Sequence, residues 1–323
     1  MIVFVKKGML TTVQDQGRVG YQRYGMPVCG AMDPFALALA NILVGNPRDE
    51  AAIEATVLGP VIRFDTPEVF AVTGGDFGPA LNGTLIENNR AYIARAGDLL
   101  SLPLAKSGAR AYVAFAGGLD IEKVMGSRAT CLKAGVGGLD GRAVREGDRI
   151  GLRAPVDHLP HMNDCAVPSS LLPAYSDHVT VRFTYGPQDD RFSPGGKQAF
   201  VAGEYVVGDG SDRMGYRLSG PAVERAPGSD GNIVSDGICF GSIQVPDGQP
   251  IVMMADRQTT GGYPKIGCAV AADLPLLGQL KAGDRVRFRP VSVAAAQAVY
   301  RRQLRILDLI ETQLRNGGPY AQL

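Results

Sequence analysis

The stretch Asp256-Arg257-Gln258-Thr259-Thr260-Gly261-Gly262-Tyr263-Pro264-Lys265 gathers a carboxylate, an amide, hydroxyls, a phenol and an ammonium. Just before it, Ile251-Val252-Met253-Met254 is a continuous apolar run, the pattern of a strand buried on both faces. Polar groups projected from the end of a rigid strand are what a pre-organised site requires. Lys265 can stabilise a developing oxyanion or serve as a base, Asp256 can hold that lysine or accept a proton, and Tyr263 stands between them in sequence. Gln258, Thr259 and Thr260 can bind a substrate. The competing reading is a hydrogen-bond network between strands.

Two further segments carry similar chemistry. Gly208-Asp209-Gly210-Ser211-Asp212-Arg213-Met214-Gly215-Tyr216-Arg217 sets two arginines four apart in a glycine-rich loop. The planar fork of Arg213 or Arg217 suits a carboxylate or phosphate, and a local Asp212–Arg213 surface pair is the plainer alternative. Gln244, in Gly241-Ser242-Ile243-Gln244-Val245-Pro246, is a further binding residue. Near the start, Gln14, Asp15 and Arg18 lie among glycines that would let backbone approach a ligand. A β-hairpin followed by a capped helix explains that region equally well.

Several chemistries are disfavoured. The chain carries 33 basic and 32 acidic residues, so no general field attracts polyphosphate or an anionic membrane. No phosphate-binding Gly-x-x-x-x-Gly-Lys-Ser/Thr occurs, and the glycine-rich run 135–141 lacks dinucleotide spacing. Cysteines 29, 131, 165, 239 and 268 are odd in number and lack Cys-x-x-Cys spacing, which fits neither a disulfide framework nor a zinc site. His158 and His161 flank Pro160, and with Asp157 and Cys165 they read as a solvated linker rather than a metal site. No signal peptide or bilayer-spanning run is found, so a soluble cytoplasmic protein is expected.

The elements that must position these groups are mostly short strands. Glycine is 42 of 323 residues, well above the usual ~7%, and many tight turns follow from it. Val61–Phe64, Val69–Val72 and Tyr112–Phe115 read as strands, as does the alternating Val179, Val181, Phe183, Tyr185. Ala96-Gly97-Asp98, Glu146-Gly147-Asp148 and Ala282-Gly283-Asp284 each precede a strand, a device that hints at related β units. Helices are expected from Asp33-Pro34 to Gly45, after Ser193-Pro194, and from Ser292 to Arg315 with Leu304, Leu307, Ile310 and Leu314 on one face. Gly317-Gly318-Pro319 should end the last one. The proline-punctuated stretch 153–178 separates two β-rich units, at 1–165 and 166–323.

Taken in order, a set of motifs resembles the biotin-dependent carboxyltransferase-like family. They are Thr11-Thr12-Val13-Gln14-Asp15 with Gly17-Arg18, Gly30-Ala31-Met32-Asp33, Asn82-Gly83, Ala116-Gly117-Gly118, Gly126-Ser127-Arg128-Ala129-Thr130 and Gly186-Pro187-Gln188. Asp212–Leu218, Gln244-Val245-Pro246, Asp256 and Gln258–Ile266 complete the set. This family includes the C subunit of 5-oxoprolinase, allophanate hydrolase subunit 2, the KipA protein and the carboxyltransferase region of urea carboxylase. The resemblance implies two cyclophilin-like β-barrel units plus a C-terminal helix. It implies the free-standing type of chain, working with partners like the A and B subunits of 5-oxoprolinase to open 5-oxo-L-proline to L-glutamate with ATP. Biotin enters only under the alternative, carboxyl transfer to urea or a similar amide. A KipA-like regulatory binder is the third possibility.

Overall fold

The computed structural model describes residues 1–153 and 166–315. The His158–His161 cluster and the Gly317-Gly318-Pro319 terminator therefore lie outside the described residues. By its contacts the chain forms two compact units. The first takes Met1–Arg18, Cys29–Ala174 and Leu304–Leu323; the second takes Val19–Val28 and Tyr175–Gln303.

The first unit begins with β1 (Ile2–Lys6), β2 (Leu10–Gln14) and the helix α1 (Pro34–Leu43). Next come β3 (Ala52–Thr56), β4 (Val61–Phe64), β5 (Glu68–Asp76), β6 (Ala80–Leu81), β7 (Thr84–Leu85) and β8 (Arg90–Ala94). β9 (Leu99–Ser101), β10 (Ser107–Phe115), β11 (Leu119–Asp120) and β12 (Arg149–Leu152) complete it. They make one sheet in the order β11-β12-β1-β4-β9-β6-β7 and another in the order β2-β3-β10-β5-β8. Both sheets feed one apolar core, with Ile2, Phe4, Ile62 and Phe64 from the first and Ile53, Phe70, Val72 and Phe115 from the second. The second sheet is covered on its other face too. Along β5 and β10, alternate residues Val69, Ala71, Tyr112 and Ala114 pack with α1 and with Leu307 and Ile310. Period-two alternation with both faces buried is why these strands read as unbroken apolar runs.

Helix α1 starts as expected: the Asp33 carboxylate accepts from the Ala36 amide at 2.9 Å, and Pro34 occupies the first turn.

The second unit contains β13 (His178–Tyr185), α2 (Pro194–Ala202), β14 (Glu204–Val207), β15 (Gly215–Ser219), β16 (Asp236–Gly237) and β17 (Ser242–Gln244). It continues through β18 (Ile251–Met253), β19 (Thr260–Gly261), β20 (Lys265–Ala269), α3 (Leu274–Gly278) and β21 (Arg285–Pro290) to α4 (Val293–Arg315). Seven strands close into a barrel in the order β13-β20-β17-β18-β15-β14-β21, and β16 pairs with β19 as a separate ribbon. Closure leaves no open edge among those seven. Phe183, Phe200 and Phe288 pack face and edge in the interior, the last two with ring centroids 4.6 Å apart. The mainly β class with a C-terminal helix is thus borne out. Ser193 and Ser292 cap α2 and α4 through the amides of Gly196 and Ala295. Leu307 and Ile310 of α4 are buried, Leu314 packs against the same cluster, and Leu304 is more exposed. Among the described residues, no helix is long and apolar enough to cross a membrane.

All three Gly-Asp turns share one bonding scheme. Asp98, Asp148 and Asp284 each accept, through a carboxylate oxygen, from the amide three residues back, on Arg95, Arg145 and Lys281. Gly97, Gly147 and Gly283 have φ of +92°, +85° and +90°. That backbone region is costly for any residue with a Cβ.

Candidate functional site

Strand β18 is buried, and its end hands the chain to Met254, whose amide bonds the Met214 carbonyl, and then to Asp256, whose amide bonds the Arg213 carbonyl. The two side chains then meet. Arg213 Nε and Nη2 each donate to Asp256 at 2.9 Å, a two-pronged pair with side-chain exposures of 6% and 10%. Asp256 therefore holds Arg213, not Lys265. Asp212 is likewise not the partner of Arg213, because its carboxylate accepts from the amides of Met214 and Gly215 and shapes the turn.

Lys265 opens β20 and is only 4% exposed. Its Nζ lies 3.0 Å from Asp236 Oδ2, on the β16 ribbon. Register places Asp236 opposite Gly261, so the β16–β19 ribbon brings the carboxylate to the lysine. Gln188 ties the two together: its Oε1 accepts from the Lys265 amide at 3.3 Å and its Nε2 donates to Asp236 at 3.4 Å. The Lys265 ammonium, first among several donors, holds the Asp236 carboxyl below the usual carboxylate range. Against β17, β20 carries a register shift that skips Ile266, the kind of bulge that re-aims side chains beside sites.

The second unit has two cavities nearby, and the Arg213–Asp256 pair lines neither of them. One, of about 560 Å³, is walled by Lys265, Asp236, Thr259, Thr260, Arg257 and a pair of cysteines, Cys239 and Cys268. The other, of about 650 Å³, is lined by Arg217, Gln244, Gln258 and Tyr263 among others. Gln244 is buried and donates to the Tyr263 carbonyl. A Cβ on Gly261 would stand 2.6 Å from Gln244 Nε2, so this glycine keeps room for the amide. The first cavity is walled by an ammonium paired with the Asp236 carboxylate, a guanidinium that also donates to the Ile238, Met254 and Ala255 carbonyls, and two hydroxyls, a set whose net positive charge suits an anionic group. The second presents amide, phenol and guanidinium groups.

Gln14, Asp15 and Arg18 belong to the first unit and bond within it, while Gln14 Oε1 and Arg18 Nη1 stay buried without a hydrogen-bond partner among the described residues. Asp15 accepts from the Gly17 amide, the Ser127 hydroxyl and the Arg128 amide. Arg18, fully buried, donates to the carbonyls of Val124 and Ala129, and Gln14 donates to Thr12 and to the Thr130 carbonyl. The Gln14–Arg18 and Gly126–Thr130 motifs are thus two halves of one network; the capped helix of the plainer alternative is present, but its hairpin is not, since β1 and β2 lie in different sheets and β2 pairs with β3.

Residues 24–290 match the family described as carboxyltransferase domain, subdomain A and B. The chain belongs to that family. It is 36% identical to the C subunit of 5-oxoprolinase from Escherichia coli (strain K12), covering 98% of this chain and 99% of that one. It is 34% identical to urea amidolyase of Lachancea kluyveri, over 94% of this chain but 18% of that protein. The crystal structure of the K. lactis urea amidolyase superposes with a TM-score of 0.89 at 32% identity, over 96% of this chain and 20% of that one. The chain therefore spans about a fifth of that larger protein's length. The relatives are subunits or regions of enzymes, and the carboxyltransferase-like fold expected from the motifs is the observed one.

Asp236, Arg257, Cys239 and Cys268 were not among the residues singled out from the sequence for the site. Asp236 is 29 positions from Lys265, and only the pairing of β16 with β19 joins them. No spacing rule in the sequence could have supplied that.

Proposed function

We propose that this protein is the C subunit of a 5-oxoprolinase, acting with partners like the A and B subunits of that enzyme to convert 5-oxo-L-proline to L-glutamate. The observation that carries the reading is the nearly buried Lys265 ammonium, paired with Asp236 on the wall of a cavity that also presents Arg257, Thr259 and Thr260. Full-length similarity to the C subunit of the Escherichia coli 5-oxoprolinase supports it. A lactam with a free carboxylate needs a cationic grip and a donor for its carbonyl oxygen. Arg257 with the two threonines supplies the first and Lys265 the second. An ammonium fixed where negative charge develops lowers a barrier by a few kcal/mol, roughly 3 for one well-placed donor. Asp236 positions that ammonium. Tyr263, Gln244, Gln258 and Arg217 bind from the neighbouring cavity, and Asp256 acts through Arg213 to hold the 208–217 loop.

ATP, when bound to the complex, supplies phosphorylation of the lactam oxygen, which makes the ring carbon easier for water to attack. On this chain, the cationic and hydroxyl residues of the Lys265 cavity are the ones suited to an anionic phosphoryl group. The same donors, with the amides of Gln244 and Gln258, suit the second reading, carboxyl transfer from carboxybiotin to urea or a similar amide. The urea amidolyase superposition favours keeping that reading in the test.

The experiment is Lys265→Met in the assembled complex, assayed with ATP and 5-oxoproline and separately with a biotin carboxylase, its carrier and urea. Methionine keeps much of the apolar stem. Asp236, with a side chain 53% exposed, is left largely in water, so the fold should survive. Turnover of 5-oxoproline is expected to fall at least about a hundredfold, with melting and co-purification unchanged. Near-normal turnover in a folded, assembled variant sinks the assignment. The isolated chain is expected to show little turnover, and full ATP-dependent activity from it alone refutes the need for partners.

A further inference from the structure

The Lys265 cavity has a second chemical feature that the lactam chemistry does not use. Cys239 Sγ and Cys268 Sγ are 3.2 Å apart, and both cysteines line the cavity. Their meeting is built by the backbone. The Cys239 carbonyl accepts from the Ser242 amide, closing a tight turn, and Ser242 sits directly opposite Cys268 in the β17–β20 ladder. Gly241 within that turn has φ +86°, and a Cβ there would press Leu274 and Ala269 at 3.0 and 3.2 Å. The turn is therefore fixed, and with it the position of Cys239. Cys239 is exposed and Cys268 partly so, whereas Cys29 and Cys131 are buried.

We propose that Cys239 and Cys268 are an oxidisable dithiol, a modification site on the cavity wall that hydrogen peroxide converts to a Cys239–Cys268 disulfide. The contact needs only roughly 1.1 Å of closing to reach the ~2.05 Å sulfur–sulfur bond. The surroundings favour Cys239 as the attacking sulfur. A hydrogen bond from the Cys268 thiol, another from the Ser242 hydroxyl and the nearby Arg257 guanidinium hold its thiol below the ordinary range, while Cys268 is pushed up. The Cys239 thiolate attacks one peroxide oxygen, forming a sulfenic acid and releasing hydroxide. The sulfur of Cys268 then attacks the Cys239 sulfur, a sulfur–sulfur bond forms, and the sulfenic oxygen departs as hydroxide. The Cys268 proton and the one proton taken up with the departing oxygen leave both hydroxides as water. Two electrons pass from the two sulfurs to the two peroxide oxygens. A dithiol reductant reverses the step by thiol–disulfide exchange. The site stands whether or not the cavity acts on a lactam.

The test uses the reduced full-length protein, exposed to stoichiometric hydrogen peroxide at neutral pH. The intact mass should fall by two hydrogens, peptide mapping should join the Cys239 and Cys268 peptides, and dithiothreitol should restore the original mass. Before oxidation, iodoacetamide should label Cys239 ahead of Cys29 and Cys131. Its rate should drop less than about twofold between about pH 8 and about pH 7, where an ordinary thiol loses several-fold. In Cys268→Ser the linked peptide should vanish and a dimedone adduct should appear on Cys239. The wild-type measurements decide the matter even if that variant folds poorly. Absence of the linked peptide, preferential linkage of another cysteine pair, or labelling of Cys239 no faster than Cys29 overturns the proposal.

Discussion

Removing the carboxylate of Asp256 takes two charge-assisted bonds from an arginine that is almost wholly enclosed. Breaking one side of such a pair costs about 3 kcal/mol or more. Asp256→Ala should therefore lower the melting temperature markedly, measured by calorimetry on the purified chain. Lys265→Met should behave in the opposite way, leaving stability nearly intact while turnover collapses. An Asp256→Ala protein that melts with the wild type would show that the pair holds nothing. The contrast also marks how far the site was legible. The apolar strand ending in polar residues was readable, because Ile251–Met253 announces itself by composition and chain continuity does the rest. Which acid meets which base was not. Asp256 lies close to Lys265 along the chain yet turns to Arg213, while Lys265 finds Asp236 through a ribbon whose two-residue strands carry no periodic signal.

The three Gly-Asp turns work as one kind of joint, so they can be tested together. Open space surrounds the position a Cβ would take at Gly97, Gly147 and Gly283, which leaves backbone strain as the only cost. Alanine at any of them should destabilise by about 1 kcal/mol, read from urea unfolding, and equal effects at the three sites are expected. Asp148 adds a pH signature. The Arg142 guanidinium, before all other groups, holds its carboxyl below the usual value. A depressed folded-state value contributes stability above the unfolded value, near about 4, and that stability is lost as pH falls through the folded value. The gap between wild type and Asp148→Asn should thus narrow on acidification below about pH 4, and a gap constant with pH would remove the carboxylate from the account. At this scale the sequence reading did well. Strong local signals such as Asp33-Pro34, Ser193-Pro194 and the Gly-Asp pairs fix the elements they start. What they leave open is register, which tertiary packing sets.

Across the whole chain, contact partners and sequence neighbours part company. The first unit draws on three separate stretches, and its last contribution is residues 304–323. Leu307 and Ile310, 5% and 0% exposed, complete the apolar layer over α1 and the five-stranded sheet. Ile310→Ala should cost about 2–4 kcal/mol. A fragment ending at residue 174 lacks both side chains and should bind a hydrophobic dye and aggregate, where the full chain does not. A soluble, cooperatively melting 1–174 fragment would contradict that reading of the layer.

The same arrangement sets an order of events during synthesis. Domains near the amino end of a chain ordinarily finish folding while the ribosome is still working on the rest. Here the opening strands and α1 emerge early, but Leu307 and Ile310, which roof them, are translated only after the second unit's Tyr175–Gln303. Until Leu307 and Ile310 are made, the apolar shelf formed by α1, β5 and β10 waits without them through the making of the second unit. Nascent-chain chaperones have their longest access to this protein at that shelf, and stalled or truncated products should be degraded in preference to full-length ones.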